Sequence, residues 1–414
     1  MSGEWESVQV KELIDAGSAE LVTGPFGTQF KAAEYTDSGI PVVNVKHIGY
    51  GALRTESLEF VNRETADRLR RHQLMANDIV FGRKGAVERH ALIRPEQEGW
   101  VQGSDCIRLR MKGKELVPRF VSYFLNTREH QRWMHNQCSH GATMASLNQG
   151  ILESIEIPLP PLETQKKIAG ILSAYDYLIE NNLKRIGIVE EMARALYREW
   201  FVYFRFPGHE KAQFVDSSMG RIPEGWEVKK VCEVCEVNPD LLRTQEAPDR
   251  IHYIDISTVK NGTISAPADL CFSEAPSRAR RIVSHGDILW SSVRPNLRGF
   301  GLLYSPPANT VASTGFTILR AEERFREFLY CAVTTEDFIA YLTNNAGGAA
   351  YPAVTARIFE EKEILVPSAD LIGRFHKCAR ALMVLGGSLR AKSIKCAASR
   401  DLLLPQLMAG RLVG

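Results

Sequence analysis

Several short patterns have residue types and spacings that could do chemistry. Pro248-Asp249 with Glu360-Glu361-Lys362 could be assembled into a nuclease of the P-D…E-x-K type, whose carboxylates hold a metal ion beside a lysine. Patterns this short arise by chance, and Glu360 to Glu363 equally reads as the charged approach to a strand. Ser305-Pro306-Pro307-Ala308 comes close to the D/N/S-P-P-aromatic tetrapeptide of an adenine methyltransferase, but it has no ring to stack an extruded base and no glycine-rich cofactor loop upstream. It reads as a turn. Cys232 and Cys235 lack the second pair a zinc ribbon needs, and in a strand they would point to opposite faces. His140, in Cys138-Ser139-His140-Gly141-Ala142-Thr143, has no recognisable catalytic partner, and Gly24-Pro25-Phe26-Gly27 lacks the Lys-Ser or Lys-Thr of a phosphate loop. No catalytic residue, metal ligand or cofactor site is expected on this chain.

The positive signal is arginine. From Val61 to Arg94 there are eight basic and four acidic residues, and from Ser277 to Phe300 five arginines stand against Asp287 alone, so each segment carries net +4. One such run is usually a solvated face, but two equivalent runs suit two units that touch one duplex. The whole chain, 414 residues with net charge +2, is too nearly balanced to favour or exclude a nucleic-acid partner, so any basic footprint must be local.

The elements that must position these runs are repeated. Asn77-Asp78-Ile79-Val80-Phe81 is echoed 209 residues later by Gly286-Asp287-Ile288-Leu289-Trp290. Ile155-Glu156-Ile157-Pro158 returns as Ile364-Leu365-Val366-Pro367, Leu109-Arg110 as Leu319-Arg320, and Gly3-Glu4-Trp5-Glu6 as Glu224-Gly225-Trp226-Glu227. Each half predicts short β-branched strands, such as Gly39 to Val45, Cys106 to Arg110 and Tyr253 to Ile256, with helices at Glu64 to Arg71, Arg119 to His135 and Arg326 to Leu342. A long helix follows each half. In the first, Ile168, Leu172, Tyr175, Ile179, Ile186, Val189, Ala193, Leu196, Trp200 and Tyr203 form a heptad stripe interrupted only by Asn182. In the second, Leu371, Phe375, Cys378, Leu382, Leu385 and Leu389 do so, weakening at Lys392 and Ser399, with Gly386-Gly387 lowering helix propensity. The two stripes most simply pair antiparallel. Eight cysteines without framework spacing and no apolar leader or spanning segment predict a cytoplasmic protein with reduced thiols.

Pro158-Leu159-Pro160-Pro161-Leu162-Glu163-Thr164-Gln165-Lys166-Lys167-Ile168, Leu183-Lys184-Arg185 and Tyr197-Arg198-Glu199-Trp200-Phe201 resemble the central conserved region of the specificity subunit of type I restriction-modification enzymes. Arg400-Asp401-Leu402-Leu403-Leu404-Pro405-Gln406-Leu407 is similar to its distal conserved region, and Gly24 to Gly27, Ala275 to Arg280 and Val293-Arg294-Pro295 resemble loops of its recognition domains. The resemblance implies an α+β fold with two target recognition domains, residues 1–158 and 207–367, each followed by a conserved helix, 159–206 and 368–414. The helices would pair as a coiled-coil-like spacer with pseudo-twofold symmetry. It implies a non-catalytic reader of a split, asymmetric target in double-stranded DNA. Two copies of an adenine methyltransferase subunit would bring S-adenosylmethionine, and a translocating nuclease subunit, where present, ATP and magnesium. The rival is a stand-alone endonuclease or methyltransferase with cryptic motifs. The residues expected to touch DNA are Arg83 and Lys84 in the first half and Ser291, Ser292, Arg294, Asn296 and Arg298 in the second, all on polar turns after the Asp-Ile strands. Gln29, Lys46, His47, His140, Thr143, Tyr351 and Arg357 are secondary candidates.

Overall fold

The computed structural model of the chain describes residues 5–138, 146–348 and 350–412. It divides into two compact units, residues 1–180 with 393–414 and residues 181–392, so each unit takes part of both long helices.

The units are built alike. In the first, the strand Cys106–Met111 lies antiparallel between Ala19–Thr23 and Ile79–Gly82, and the sheet continues through His90–Leu92 to Tyr50–Gly51. In the second, Phe316–Arg320 lies between Glu236–Val237 and Ile288–Ser291, followed by Phe300–Leu302. Each unit adds a second, four-stranded sheet, and each is closed by pairing an early strand with its last. Ser7–Gln9 runs antiparallel to Glu156–Pro158, and Glu227–Lys230 to Glu363–Val366. The repeated Trp-containing openings and proline-terminated strands are the two sides of that closure.

The repeated Asp and Leu-Arg markers have one cause. Asp78 is 1% exposed and receives Arg110 Nε on Oδ1 and Nη2 on Oδ2, both at 2.7 Å. Asp287 is 0% exposed and receives Arg320 in the same fork, both at 2.8 Å. Each carboxylate also takes the amide three residues before it, Met75 or Ser284. A buried charge this well paired fixes the register of neighbouring strands, and removing one partner of such a pair costs about 3–5 kcal/mol.

The helices expected at Arg119 to His135 and Arg326 to Leu342 are each two. Pro118–Leu125 gives way to Arg128–Cys138, and Arg326–Val333 to Glu336–Asn344, because threonines at the breaks bond nearby backbone instead of continuing the helix. Thr127 Oγ1 takes the His130 amide, and Thr335 Oγ1 takes that of Phe338. Glu227–Lys230 ends before the cysteines, which lie in and just after the turn Val231–Glu233, with Cys232 exposed and Cys235 buried.

The central helix is α-helical over Leu162–Tyr197, with a π turn at Arg198–Val202. Its first turn is locked by Gln165, which is 0% exposed. The amide accepts from Val117 N at 2.8 Å and donates to Glu115 O and Pro160 O, both at 2.9 Å. Ile168, Leu172, Ile186, Val189 and Ala193 are buried, as is Asn182, while Tyr175, Ile179, Leu196 and Trp200 are half-buried and Tyr203 is exposed. The distal helix, Ala369–Met408, runs unbroken through Gly386-Gly387.

Within each unit the two helices are antiparallel. In the first, Leu407 packs in the cluster of Ile168 and Leu172, and Arg400 Nη1 meets Asp176 Oδ1 at 2.6 Å. In the second, Phe375 meets Phe201 with ring centroids 5.0 Å apart, Gly386 faces Val189, and Arg390 pairs with Glu190. The distal seam is Ile372, Phe375, Ala379, Leu382, Gly386, Leu389 and Ser393. Leu382 and Leu389 are thus where the sequence places them, but Cys378 and Leu385 are exposed, and Lys392 lies outside the seam. A Cβ on Gly386 would stand 3.4 Å from Val189 Cγ2, an ordinary contact distance, so Gly386 faces the central helix at a position that a small side chain would also fit.

This packing sets the order in which seam substitutions should hurt. Leu389→Ala should cost about 2–5 kcal/mol of stability in chemical denaturation, and Leu385→Ala no more than about 0.5 kcal/mol; the reverse order would restore the other register. Acid should act through two histidines of the first unit. His90 is fully buried with Nε2 2.9 Å from Ser122 Oγ, and burial pushes its pKa down to about 3, while burial takes that of His130 down to about 4. Both are neutral when folded, whereas the unfolded chain takes up protons near pH 6.5, so stability is full above that pH and falls as pH drops toward 4. By pH 5 the first unit should lose roughly 2 kcal/mol per histidine. An unchanged denaturation midpoint between pH 7.5 and pH 5 would show that these rings are not held neutral.

Candidate nucleic-acid interface

The strand beside each Asp–Arg pair delivers the chain into a polar turn, and the backbone of that turn is repeated. In the first unit the Arg83 amide donates to Asp105 O at 2.8 Å, and Arg83 O accepts from Leu147 N at 2.8 Å. In the second the Ser292 amide donates to Gly315 O at 2.8 Å, and Ser292 O accepts from Val354 N at 2.9 Å. The side chains on this shared frame differ. Arg83 leads the first turn, its guanidinium 4.9 Å from the centre of the exposed Phe26 ring, with Lys84 3.4 Å from Asp105.

Two residues further on, both chains turn left-handed. Gly85 has φ +79°, whereas Arg294 holds φ +49°, a region costly for a residue with a Cβ. Arg294 is kept there by its amide on Pro352 O at 2.7 Å, by Nη2 on Ala350 O at 3.2 Å, and by its guanidinium 4.6 Å from the centre of the Tyr351 ring. Tyr351 is itself 70% exposed, so the stack stands in solvent. Arg298 is also left-handed, φ +56°, and reaches Glu336 at 2.7 Å, while Asn296 lies exposed between the two arginines.

Other candidates are used internally. Ser291 is 2% exposed and donates to Val293 O at 2.8 Å. His47 is 1% exposed, with Nδ1 accepting the Asn44 amide at 3.0 Å and Nε2 3.2 Å from Ser57 O. Both therefore hold turns together from inside and offer no surface to a ligand. Ser292 Oγ faces Thr317 Oγ1 at 2.9 Å. Lys46 pairs with Glu59 at 2.9 Å and Arg357 with Glu361 at 2.7 Å, and the Gln29 carbonyl accepts from Arg68. His140 and Thr143 lie outside the described residues.

The arginine runs are less bare than their charge count. Arg68 pairs with Glu34, Arg94 with Glu180 and Arg278 with Asp255, while Arg280 lies over Phe272. No nuclease cluster forms from Asp249 and Glu360 to Lys362, since Glu361 holds Arg357 and Lys362 Nζ sits 4.6 Å from the Tyr341 ring centre. Among the described residues no group of three His, Cys, Asp or Glu could hold a metal, and no helix is long and apolar enough to cross a membrane. Ser305 to Pro307 forms a turn, with Ser305 at φ +47° and Pro307 O accepting from Thr310 Oγ1.

Residues 2–190 match the family described as type I restriction modification DNA specificity domain. The MjaIX specificity subunit of Methanocaldococcus jannaschii is 24% identical over 312 residues, 72% of this chain and 69% of its own. The HindI specificity subunit of Haemophilus influenzae is 21% identical over 388 residues, 78% of this chain and 84% of its own. In fold, the chain is similar to the S subunit of a type I restriction-modification system from M. genitalium, with a TM-score of 0.62 over 97% of this chain and 96% of that one, at 15% identity. Over most of its length the chain is thus similar to specificity subunits of type I restriction-modification systems, and it shares the fold of a solved S subunit.

Proposed function

We propose that this chain is the DNA-recognition (specificity) subunit of a type I restriction-modification system, that it reads a bipartite, asymmetric DNA target with one recognition domain per half-site, residues 1–158 and 207–367, and that it docks methyltransferase subunits along its central and distal helices. The observation that carries the reading is the repeated strand-exit turn with unlike side chains. One backbone frame presents Arg83 and Lys84 in the first unit and Arg294, Asn296 and Arg298 in the second. Like frames suit like approaches to a duplex, and unlike side chains suit different bases. Arginine held against an aromatic ring keeps a planar fork in place for guanine O6 and N7 or for a phosphate. Tyr351 belongs to this surface as the platform for Arg294.

Docking is supported by the faces of the helices turned away from the seams. The central helix exposes Tyr177 and Leu178 in the first unit and Leu183, Ile188 and Met192 in the second. Exposed apolar side chains gathered along one helix suit a protein partner. Under this reading the methyltransferase supplies S-adenosylmethionine, and a translocating nuclease subunit, where the system has one, supplies ATP and magnesium chemistry.

Two outcomes test the reading. Exchanging residues 1–158 for the matching domain of another specificity subunit should change one half-site of the methylated motif and leave the other; a change in both would sink the two-reader account. Arg294→Gly should stay within about 1 kcal/mol of the wild type in stability, since glycine takes the left-handed turn without cost. It should nevertheless weaken binding to the cognate target by about 1–3 kcal/mol in a titration of the assembled complex. Unchanged affinity and sequence preference would remove Arg294 from the interface.

A further inference from the structure

Arg278 is gripped by a carboxylate along the same edge as Arg110 and Arg320, but it stands far more exposed than either. It enters the strand Ala279–Ile282 from the turn after Pro276, and its Nε donates to Tyr253 Oη at 3.0 Å and Asp255 Oδ2 at 3.2 Å, while Nη2 donates to Asp255 Oδ2 at 2.7 Å. The holders are held in turn. Tyr253 is 4% exposed and donates its hydroxyl to Asp255 Oδ2 at 2.9 Å, and Asp255 Oδ1 accepts from Ser257 N at 3.1 Å and Ser257 Oγ at 2.8 Å. Partial burial opposes ionisation of Asp255, but the Ser257 amide and the Arg278 guanidinium outweigh it and hold the carboxyl well below its ordinary range. The Arg278 side chain nevertheless remains 55% exposed. The outer edge of its guanidinium, Nη1 with the second hydrogen of Nη2, has no protein acceptor among the described residues.

The position joins the recognition turn. Arg278 O accepts from Thr314 N at 2.7 Å, and the next residue, Gly315, gives its carbonyl to the Ser292 amide. A Cβ on Gly315 would fall 2.1 Å from Ile256 Cδ1, so the side chain next to Asp255 packs directly over this run. An arginine that binds phosphate works chiefly through net charge, and a carboxylate on its flank cancels that charge and repels a second anion. What remains is a rigid, nearly neutral pair of donors, which suits the neutral acceptors O6 and N7 of guanine.

We propose that Arg278, held side-on by Asp255 and Tyr253, reads a guanine with its free end in the half-site of the second recognition domain, with Asp255 as its positioning residue. The proposal rests on the two-reader reading above.

The test uses the full chain assembled with its methyltransferase subunit on the target defined by its own methylation. Affinity is measured for that target and for every single-base variant, over a salt series. Arg278→Ala should lose roughly 5- to 150-fold on the cognate target, the equivalent of about 1–3 kcal/mol, with preference relaxed at one G·C pair of the second half-site and the salt slope changed by much less than one. Asp255→Asn should relax the same position to a smaller degree. Retained discrimination at the first half-site shows that each variant complex is folded, and Arg278→Lys, which keeps the charge but not the fork, should behave as Arg278→Ala. A uniform loss on all sequences with a salt slope lower by about one would mean a phosphate contact and overturn the proposal. So would unchanged discrimination, or a second half-site without a G·C pair. A wild-type complex that shows no sequence preference at all would instead overturn the two-reader reading.

Discussion

A carboxylate cut off from water and gripped by an arginine on the next strand underlies each unit. Asp78 with Arg110 and Asp287 with Arg320 do three things at once. They tie the strand that leads to the polar turn to its neighbour. They close the preceding tight turn through the amide of Met75 or Ser284. And they forbid a one-residue slip, which would send the arginine to the opposite face of the sheet and leave the buried charge alone. Everything beyond these strands, including Arg83, Lys84, Arg294, Asn296 and Arg298, takes its position from that register.

The same economy appears in the surfaces that meet solvent. The frame of each recognition turn is made of backbone hydrogen bonds, which tolerate a change of side chain, so two units can keep one architecture and differ in what they display. Where the display requires an awkward backbone, it is held from outside. Arg294 sits left-handed because Pro352, Ala350 and Tyr351 hold it there, whereas the first unit has glycine at the matching place. Under the proposed reading, that strain is the cost of presenting an arginine at the surface.

Much of this is legible in the residues, and the misses share a cause. The repeat can be read because the buried pair demands Asp and Arg at fixed places. The central helix can be read because most of its seam positions carry large apolar side chains. The distal seam is displaced by one residue at alternate positions because small residues, Ala379, Gly386 and Ser393, occupy it while Cys378 and Leu385 look outward. A hydrophobic pattern reports bulk, and these small seam residues carry little of it. Ser291 and His47 are expected on the surface because polar residues usually lie there, yet both are buried with their polar atoms met by nearby backbone. Counting charges cannot separate Arg278 from its neighbours, since what distinguishes it is a carboxylate more than twenty residues earlier in the chain.

The most direct test of this account is to break the anchor of one unit in the assembled complex and read the methylated motif. With Asp287→Asn, the account predicts a second half-site that becomes degenerate while the first keeps its sequence, and the mirror result for Asp78→Asn. Simultaneous loss of both half-sites from either substitution, with the complex still assembled, or full retention of both, would contradict it.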